Sequence, residues 1–165
     1  MSLKIVQADY ANTQHQRDIP YLLNLYAKDP MGGGKALSDD VLKHLVGSLA
    51  KRRDAYTVLA YIEGRAVGLL NGFEAFSTFA CKPLMNIHDV FVRSDYRGQG
   101  ISRQMLEKIE GIASAQGCCK LTLEVLSQNT VAKSSYQSFG FADYVLDPEA
   151  GHALFWEKPI QAPYQ

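Results

Sequence analysis

Hydrophobic positions along the chain change period several times, and each change marks an element. Residues 3–8 alternate as a short strand. Between residues 16 and 28, Ile19, Leu22, Leu23 and Tyr26 recur at helical spacing, and Asp29-Pro30 ends that helix because the residue before a proline disfavours helical backbone. The run Met31-Gly32-Gly33-Gly34 is too flexible for regular structure. Ser38 then caps a second helix, with Asp39 and Asp40 in its first turn and Leu42, Leu45, Val46 and Leu49 as its apolar stripe. Residues 56–62 and 66–73 are rich in β-formers and flank Glu63-Gly64-Arg65, a hairpin signal. A further apolar run covers 84–92, after which Ile101, Met105, Ile109, Ile112 and Ala113 carry a helix as far as Gly117. Residues 120–126 alternate, 130–139 read as a helix closed by Gly140, and 141–145 and 152–157 complete the sheet. The predicted order is β-α-α-β-β-β-α-β-α-β-β. Residues 161–165 read as a loose tail, leaving 1–160 as one domain.

Composition narrows this picture. A chain of 165 residues, 47% hydrophobic and 21% charged, is long enough for one packed core and too short for two large ones. The formal net charge is +0, and the basic run Lys51-Arg52-Arg53 is followed at once by Asp54, so it reads as a solvated helix end and nucleic acid is not an expected partner. Cys81, Cys118 and Cys119 are odd in number and contain no Cys-x-x-Cys, while His15, His44, His88 and His152 are scattered. Reduced thiols and no metal are expected. The first residues lack a signal-peptide pattern and no stretch approaches the roughly 18 apolar residues of a membrane span, so a cytoplasmic protein without a membrane partner is expected.

Candidate chemistry centres on Val90-Phe91-Val92-Arg93-Ser94-Asp95-Tyr96-Arg97-Gly98-Gln99-Gly100-Ile101-Ser102-Arg103. A strand here runs through a two-glycine turn into a helix start, where unpaired backbone N–H groups and the helix dipole favour a phosphate or pyrophosphate. The turn has no Gly-Lys-Ser/Thr and lacks the third glycine of a dinucleotide fingerprint, which argues against both of those nucleotide folds. Arg97 and Arg103 can add phosphate contacts.

The Arg-x-x-Gly-x-small pattern, after Val-Phe-Val and before an amphipathic helix, resembles the acyl-CoA signature of the GNAT superfamily of N-acetyltransferases. Downstream, the segment from Asn129 to Phe141 is similar to that family's Asn-x-x-Ala-x-x-x-Tyr-x-x-x-Gly-Phe stretch. Ser102 departs from the usual glycine or alanine but is small. The resemblance implies an α/β (α+β) GNAT-type domain, with a mixed sheet of roughly six to seven strands and about four helices. It also implies that the fourth and fifth strands splay apart to form the acyl-CoA cleft. Val90, Phe91 and Val92 would pair with the pantetheine arm, the amides of Gly98, Gln99, Gly100, Ile101, Ser102 and Arg103 would hold the pyrophosphate, and Asn129 would hydrogen-bond the cofactor. Tyr136 would protonate the leaving thiolate. Acetyl-CoA is the implied donor, and homodimers are common in the family although no residue of this sequence specifies one.

Attack on the thioester requires a free amine, so a base must take a proton from the acceptor's ammonium. Glu124 ranks first, because Leu123-Glu124-Val125 resembles members that acetylate protein N-termini. His88 and Asp89 follow as alternatives, and as neighbours on a strand they are expected to point to opposite faces. For the acceptor, Gly32, Gly33, Gly34, Asn71, Glu74 and Phe76 are candidate contacts, suited to a small cationic amine. A small-molecule amine acetyltransferase is the preferred reading, with a protein or peptide N-acetyltransferase and a non-catalytic acyl-CoA-binding module as the alternatives.

Overall fold

The computed structural model describes residues 2–160 and divides into two compact units, Met1–Leu126 and Ser127–Gln165. The predicted 161–165 tail lies outside the described residues.

The first unit is a five-stranded sheet in sequence order, β1 (Leu3–Gln7), β2 (Ala55–Ile62), β3 (Arg65–Ser77), β4 (Lys82–Val92) and β5 (Leu121–Leu123). The first four strands pair antiparallel, β2–β3 and β3–β4 through short hairpins and β1–β2 across the segment that holds the first two helices, and β5 pairs parallel to β4 after a helical crossover. Helix α1 (Thr13–Lys28) starts three residues earlier than the apolar spacing predicts, since Asn12 caps it by accepting from the Gln14 and His15 amides. Helix α2 (Asp39–Ala50) begins after the Ser38 cap. Helix α3 (Ile101–Ala115) supplies the crossover.

Alternation along the strands gives each face its own helices. Ile19 and Leu22 of α1 and Leu49 of α2 pack with Ala55, Leu59, Tyr61, Leu69 and Phe91 on one face. On the other, Met105 and Ile109 of α3 lie so close that a Cβ on Gly68 would meet the Met105 thioether at 3.1 Å and one on Gly72 would come within 3.4 Å of Ile109. Two strand positions on the first face break the apolar rule: Thr57 and Asn71 are polar and buried.

The second unit holds α4 (Thr130–Phe139), capped by Asn129, whose Oδ1 accepts from the Ala132 amide, and closed by left-handed Gly140. Here one expectation fails. Among the described residues, 141–145 and 152–157 form no ladder, and the sheet has five strands and not six to seven. β-Rich composition makes a strand only where a neighbour supplies hydrogen bonds in register. The two stretches share one long backbone bond, Ala153 N–H to Tyr144 O at 3.4 Å, and the turn at Pro148–Ala150 separates them. The predicted 120–126 strand is likewise cut to Leu121–Leu123.

Leu22 of α1 is fully buried against the sheet, so Leu22→Ala should cost about 2–5 kcal/mol, read as a lowered midpoint in urea unfolding followed by circular dichroism.

Candidate active site

Strand β4 is irregular where the chemistry is expected. Its register against β3 runs Leu69↔Phe91, Leu70↔Val90 and Asn71↔Asp89, then Gly72↔Ile87, so His88 is an extra residue with no partner across the ladder. That is a β-bulge, and it lets the inserted residue and the one after it turn their side chains to the same face. The expectation that His88 and Asp89 point to opposite faces is therefore corrected: His88 Nδ1 lies 3.2 Å from Asp89 Oδ1, and the His88 ring stands edge-on to Phe73 at 5.7 Å. Strict alternation holds only for an uninterrupted ladder.

Past the bulge the sheet opens. β5 pairs with β4 only at Met85↔Leu121, Asn86↔Thr122 and Ile87↔Leu123, whereas β4 continues from His88 to Val92. Among the described residues no strand pairs with that edge of β4. Two parallel neighbours that part at their carboxyl ends leave a cleft, the usual position for a ligand in such sheets. Val90, Phe91 and Val92 form the free edge, with Phe91 and Val92 side chains buried and their backbone at the opening. Glu124, the first residue after β5, is exposed and accepts a long bond from Asn86 Nδ2 at 3.4 Å.

The strand leads into the glycine turn. Gly98 and Gly100 have φ of 76° and 74°, the left-handed region where only glycine is unstrained. A Cβ at either would meet nothing within 4 Å, so the turn's backbone faces open space. Gly100 is the N-cap of α3 and no side chain caps that helix start. An exposed Gly98-Gln99-Gly100 run before a buried Ile101 and half-buried Ser102 thus presents backbone donors at a positive dipole end. These features fit a pyrophosphate beside an extended chain, as acetyl-CoA has.

Arg97 holds the turn in place. Its Nε donates to Val92 O at 2.9 Å, its NH2 group donates to Asp29 Oδ2 at 2.7 Å, and its guanidinium sits 5.9 Å over the Phe91 ring. Asp29 also accepts from the Met31 amide at 3.0 Å, and its backbone carbonyl receives the Gly32 and Gly34 amides. The segment expected to be too flexible for regular structure is a 3-10 turn, Pro30–Gly32, followed by left-handed Gly33 and Gly34. Gly32 is needed there because a Cβ would fall 1.9 Å from Tyr26 O. One carboxylate therefore ties the candidate acceptor loop to the candidate donor turn. Arg103 pairs with Glu107 at 3.1 Å, one turn along α3.

Of the other acceptor candidates, Asn71 is buried and turned along the sheet, Glu74 is half-buried, and Phe76 is 58% exposed on the β3–β4 hairpin. Asn71 belongs to a hydrogen-bonded row that composition does not reveal: Tyr10 OH and Thr57 Oγ1 at 2.9 Å, Thr57 Oγ1 to Asn71 Oδ1 at 2.7 Å, Asn71 Nδ2 to Asp89 Oδ2 at 2.9 Å. Tyr10, Thr57, Tyr26 and Asp29 carry no motif. A polar residue at an inward position of an apolar strand was the available signal for Thr57. Burial, and then the charges of Asp89 and Asp29, push the Tyr26 hydroxyl's pKa up, and the Tyr26 ring lies 5.7 Å from that of Phe91. Within the second unit, Tyr136 packs edge-on to Phe141 at 5.9 Å.

These features define a class of fold, a splayed mixed sheet with a glycine turn entering a crossover helix. The sequence profile described as the acetyltransferase (GNAT) family matches residues 19–141, and the chain belongs to that family. It is 34% identical over 71 residues to thialysine N-epsilon-acetyltransferase of Bos taurus, covering 43% of this chain and 41% of that protein. It is also 34% identical over 102 residues to streptothricin acetyltransferase of Streptomyces lavendulae, covering 57% of this chain and 54% of the relative. The chain thus matches about half the length of these relatives, or less. In fold it resembles the structure of AAC(6')-Iy in complex with the bisubstrate analog CoA-S-monomethyl-acetylneamine, with a TM-score of 0.76 at 16% identity over 97% of this chain and 100% of that one.

The Arg97 hydrogen bond, and after it the Met31 amide, hold the Asp29 carboxyl below the usual carboxylate range. A depressed folded-state pKa adds stability that is present above the unfolded value of about 3.9 and is lost as pH falls through the folded one. Asp29→Asn should therefore unfold at lower urea than wild type at pH 7, and the gap should close as the pH is taken below about 4.

Proposed function

We propose that this chain transfers an acetyl group from acetyl-CoA to a primary amine of a small molecule. The observation that carries the reading is the free edge of β4, which leads through the 3-10 turn Ser94–Tyr96 into an uncapped glycine turn. The edge from Val90 to Val92 would bond the amides of the pantetheine arm as an added strand does. The amides from Gly98 to Arg103 would take the pyrophosphate, with Arg97 and Arg103 adding positive charge beside it. The donor supplies an activated thioester. The chain's own part is to hold it extended, keep the acceptor close and move two protons.

One proton leaves the acceptor's ammonium, and Glu124, His88 and Asp89 are the candidate acceptors of it. The second goes to the departing thiolate, and Tyr136 is the candidate donor by its position in the Asn129-to-Phe141 motif. Asn129 would add a cofactor contact while capping α4. Small-molecule acceptors are favoured by the relatives' names: thialysine and streptothricin for the two above, and L-methionine sulfoximine or L-methionine sulfone for a Pseudomonas aeruginosa relative, 25% identical over 143 residues and matched over 81% of this chain. Gly32, Gly33, Gly34, Glu74 and Phe76 are the candidate acceptor contacts, and a cytoplasmic homodimer is the assembly the family resemblance favours.

Thioester consumption should be measured with lysine analogues, amino acids, polyamines and aminoglycosides against peptide amines. Turnover confined to small amines is the expected result, and turnover confined to peptides would reverse the choice of acceptor. Tight acetyl-CoA binding without turnover of any amine would indicate a binding module. Tyr136→Phe should lower kcat on the order of 100-fold while leaving the Kd for acetyl-CoA within about threefold, and an unchanged kcat would remove the role of Tyr136.

A further inference from the structure

The side-chain row across β2, β3 and β4 has a direction. Thr57 has one hydroxyl proton and gives it to Asn71 Oδ1, so at its other contact it must accept, and Tyr10 OH is the donor. Burial pushes the Tyr10 pKa up, which keeps that proton on the phenol. With its oxygen occupied, Asn71 presents its NH2 group to Asp89 Oδ2. Every donor in the row thus points toward Asp89, and with Asp89 ionised the reversed row would set Asn71 Oδ1 against a carboxylate oxygen with no hydrogen between them.

Asp89 Oδ2 is taken, and Oδ1 faces His88 Nδ1 at 3.2 Å. An ionised carboxylate only accepts, so Nδ1 must carry the hydrogen. In neutral His88 the lone pair is then on Nε2. The side chains of Asp89 and His88 are 16% and 64% exposed, so the carboxylate is sheltered and the imidazole reaches solvent. The bulge is what permits this, since in a regular strand the two side chains would diverge.

Building on the acetyl-transfer reading, we propose that His88 Nε2 takes the proton from the acceptor's ammonium, and that Asp89, Asn71, Thr57 and Tyr10 are positioning residues that fix His88 as the Nδ1–H tautomer. The step balances: the acceptor's N–H bond breaks, Nε2 gains the proton and His88 becomes an imidazolium beside the Asp89 carboxylate. The freed amine lone pair attacks the thioester carbonyl, the C–N bond forms, and the C–S bond breaks to release CoA thiolate. The acetylated nitrogen gives up its remaining extra proton as the thiolate is protonated. Such a site takes a primary amine that is protonated in solution.

Two measurements test this. In steady-state kinetics with an amine the wild type accepts, His88→Gln should lower kcat on the order of 100-fold with KM within about threefold. Thr57→Val, which keeps the shape and removes the hydroxyl, should lower kcat about tenfold, and Thr57→Ser should recover most of it. Tyr10→Phe, which breaks only the far end, should act in the same direction as Thr57→Val but less. In 15N NMR of the free protein, with the His88 signals assigned by their loss in His88→Gln, wild type should show the neutral Nδ1–H form and Thr57→Val a mixture of tautomers. A neutral Nε2–H form in wild type, or full kcat in His88→Gln, overturns the proposal while leaving acetyl transfer standing. A wild type that turns over no amine removes the acetyl-transfer reading and the base role together.

Discussion

The pairing of β3 with β4 is the constraint on which the rest depends. It is the longest ladder in the first unit, and its single defect, the inserted His88, falls where β5 stops following β4. A bulge bends and twists its strand. Beyond the bulge β4 stays paired with β3 and parts from β5. One inserted residue is thus associated with three features that the proposed function uses: an open strand edge, a carboxylate and an imidazole on the same face, and a path from that edge towards the glycine turn.

The two faces of the sheet divide the work. α3 packs tightly on one face through Met105 and Ile109, and this packing fixes where the helix begins and therefore where the uncapped amides lie. The other face carries α1 and α2, the polar row from Tyr10 to Asp89, and the Asp29 carboxylate that ties the glycine segment after α1 to Arg97. The candidate donor turn and the candidate acceptor segment are therefore joined by side chains of the first unit. The Arg97–Asp29 pair is partly exposed, so its role is to hold geometry more than to add stability.

Much of this was legible in the residues. The helical stripes of α1, α2 and α3, the Glu63-Gly64 hairpin and the glycine turn each rest on local chemistry, and local chemistry is what periodicity and turn residues report. Non-local hydrogen bonding is what they do not report. The bulge at His88 depends on the partner strand, so alternation set His88 and Asp89 on opposite faces. Residues 141–145 and 152–157 have strand composition without a ladder. The reversal after α1 looks shapeless as Gly-Gly-Gly, yet Asp29 and the close approach of Gly32 to the Tyr26 carbonyl shape it. Thr57 and Tyr10 belong to no motif, and only the register of three strands lines them up with Asp89.

The central claim is that the edge of β4 beyond the bulge, with the turn it enters, receives the donor. Amide hydrogen exchange of the free and CoA-bound chain tests it most directly. Bound CoA should slow exchange at amides within 88–92 and 98–102 while leaving the β1–β2 and β2–β3 ladders unchanged. CoA binding that protects neither segment would contradict the account.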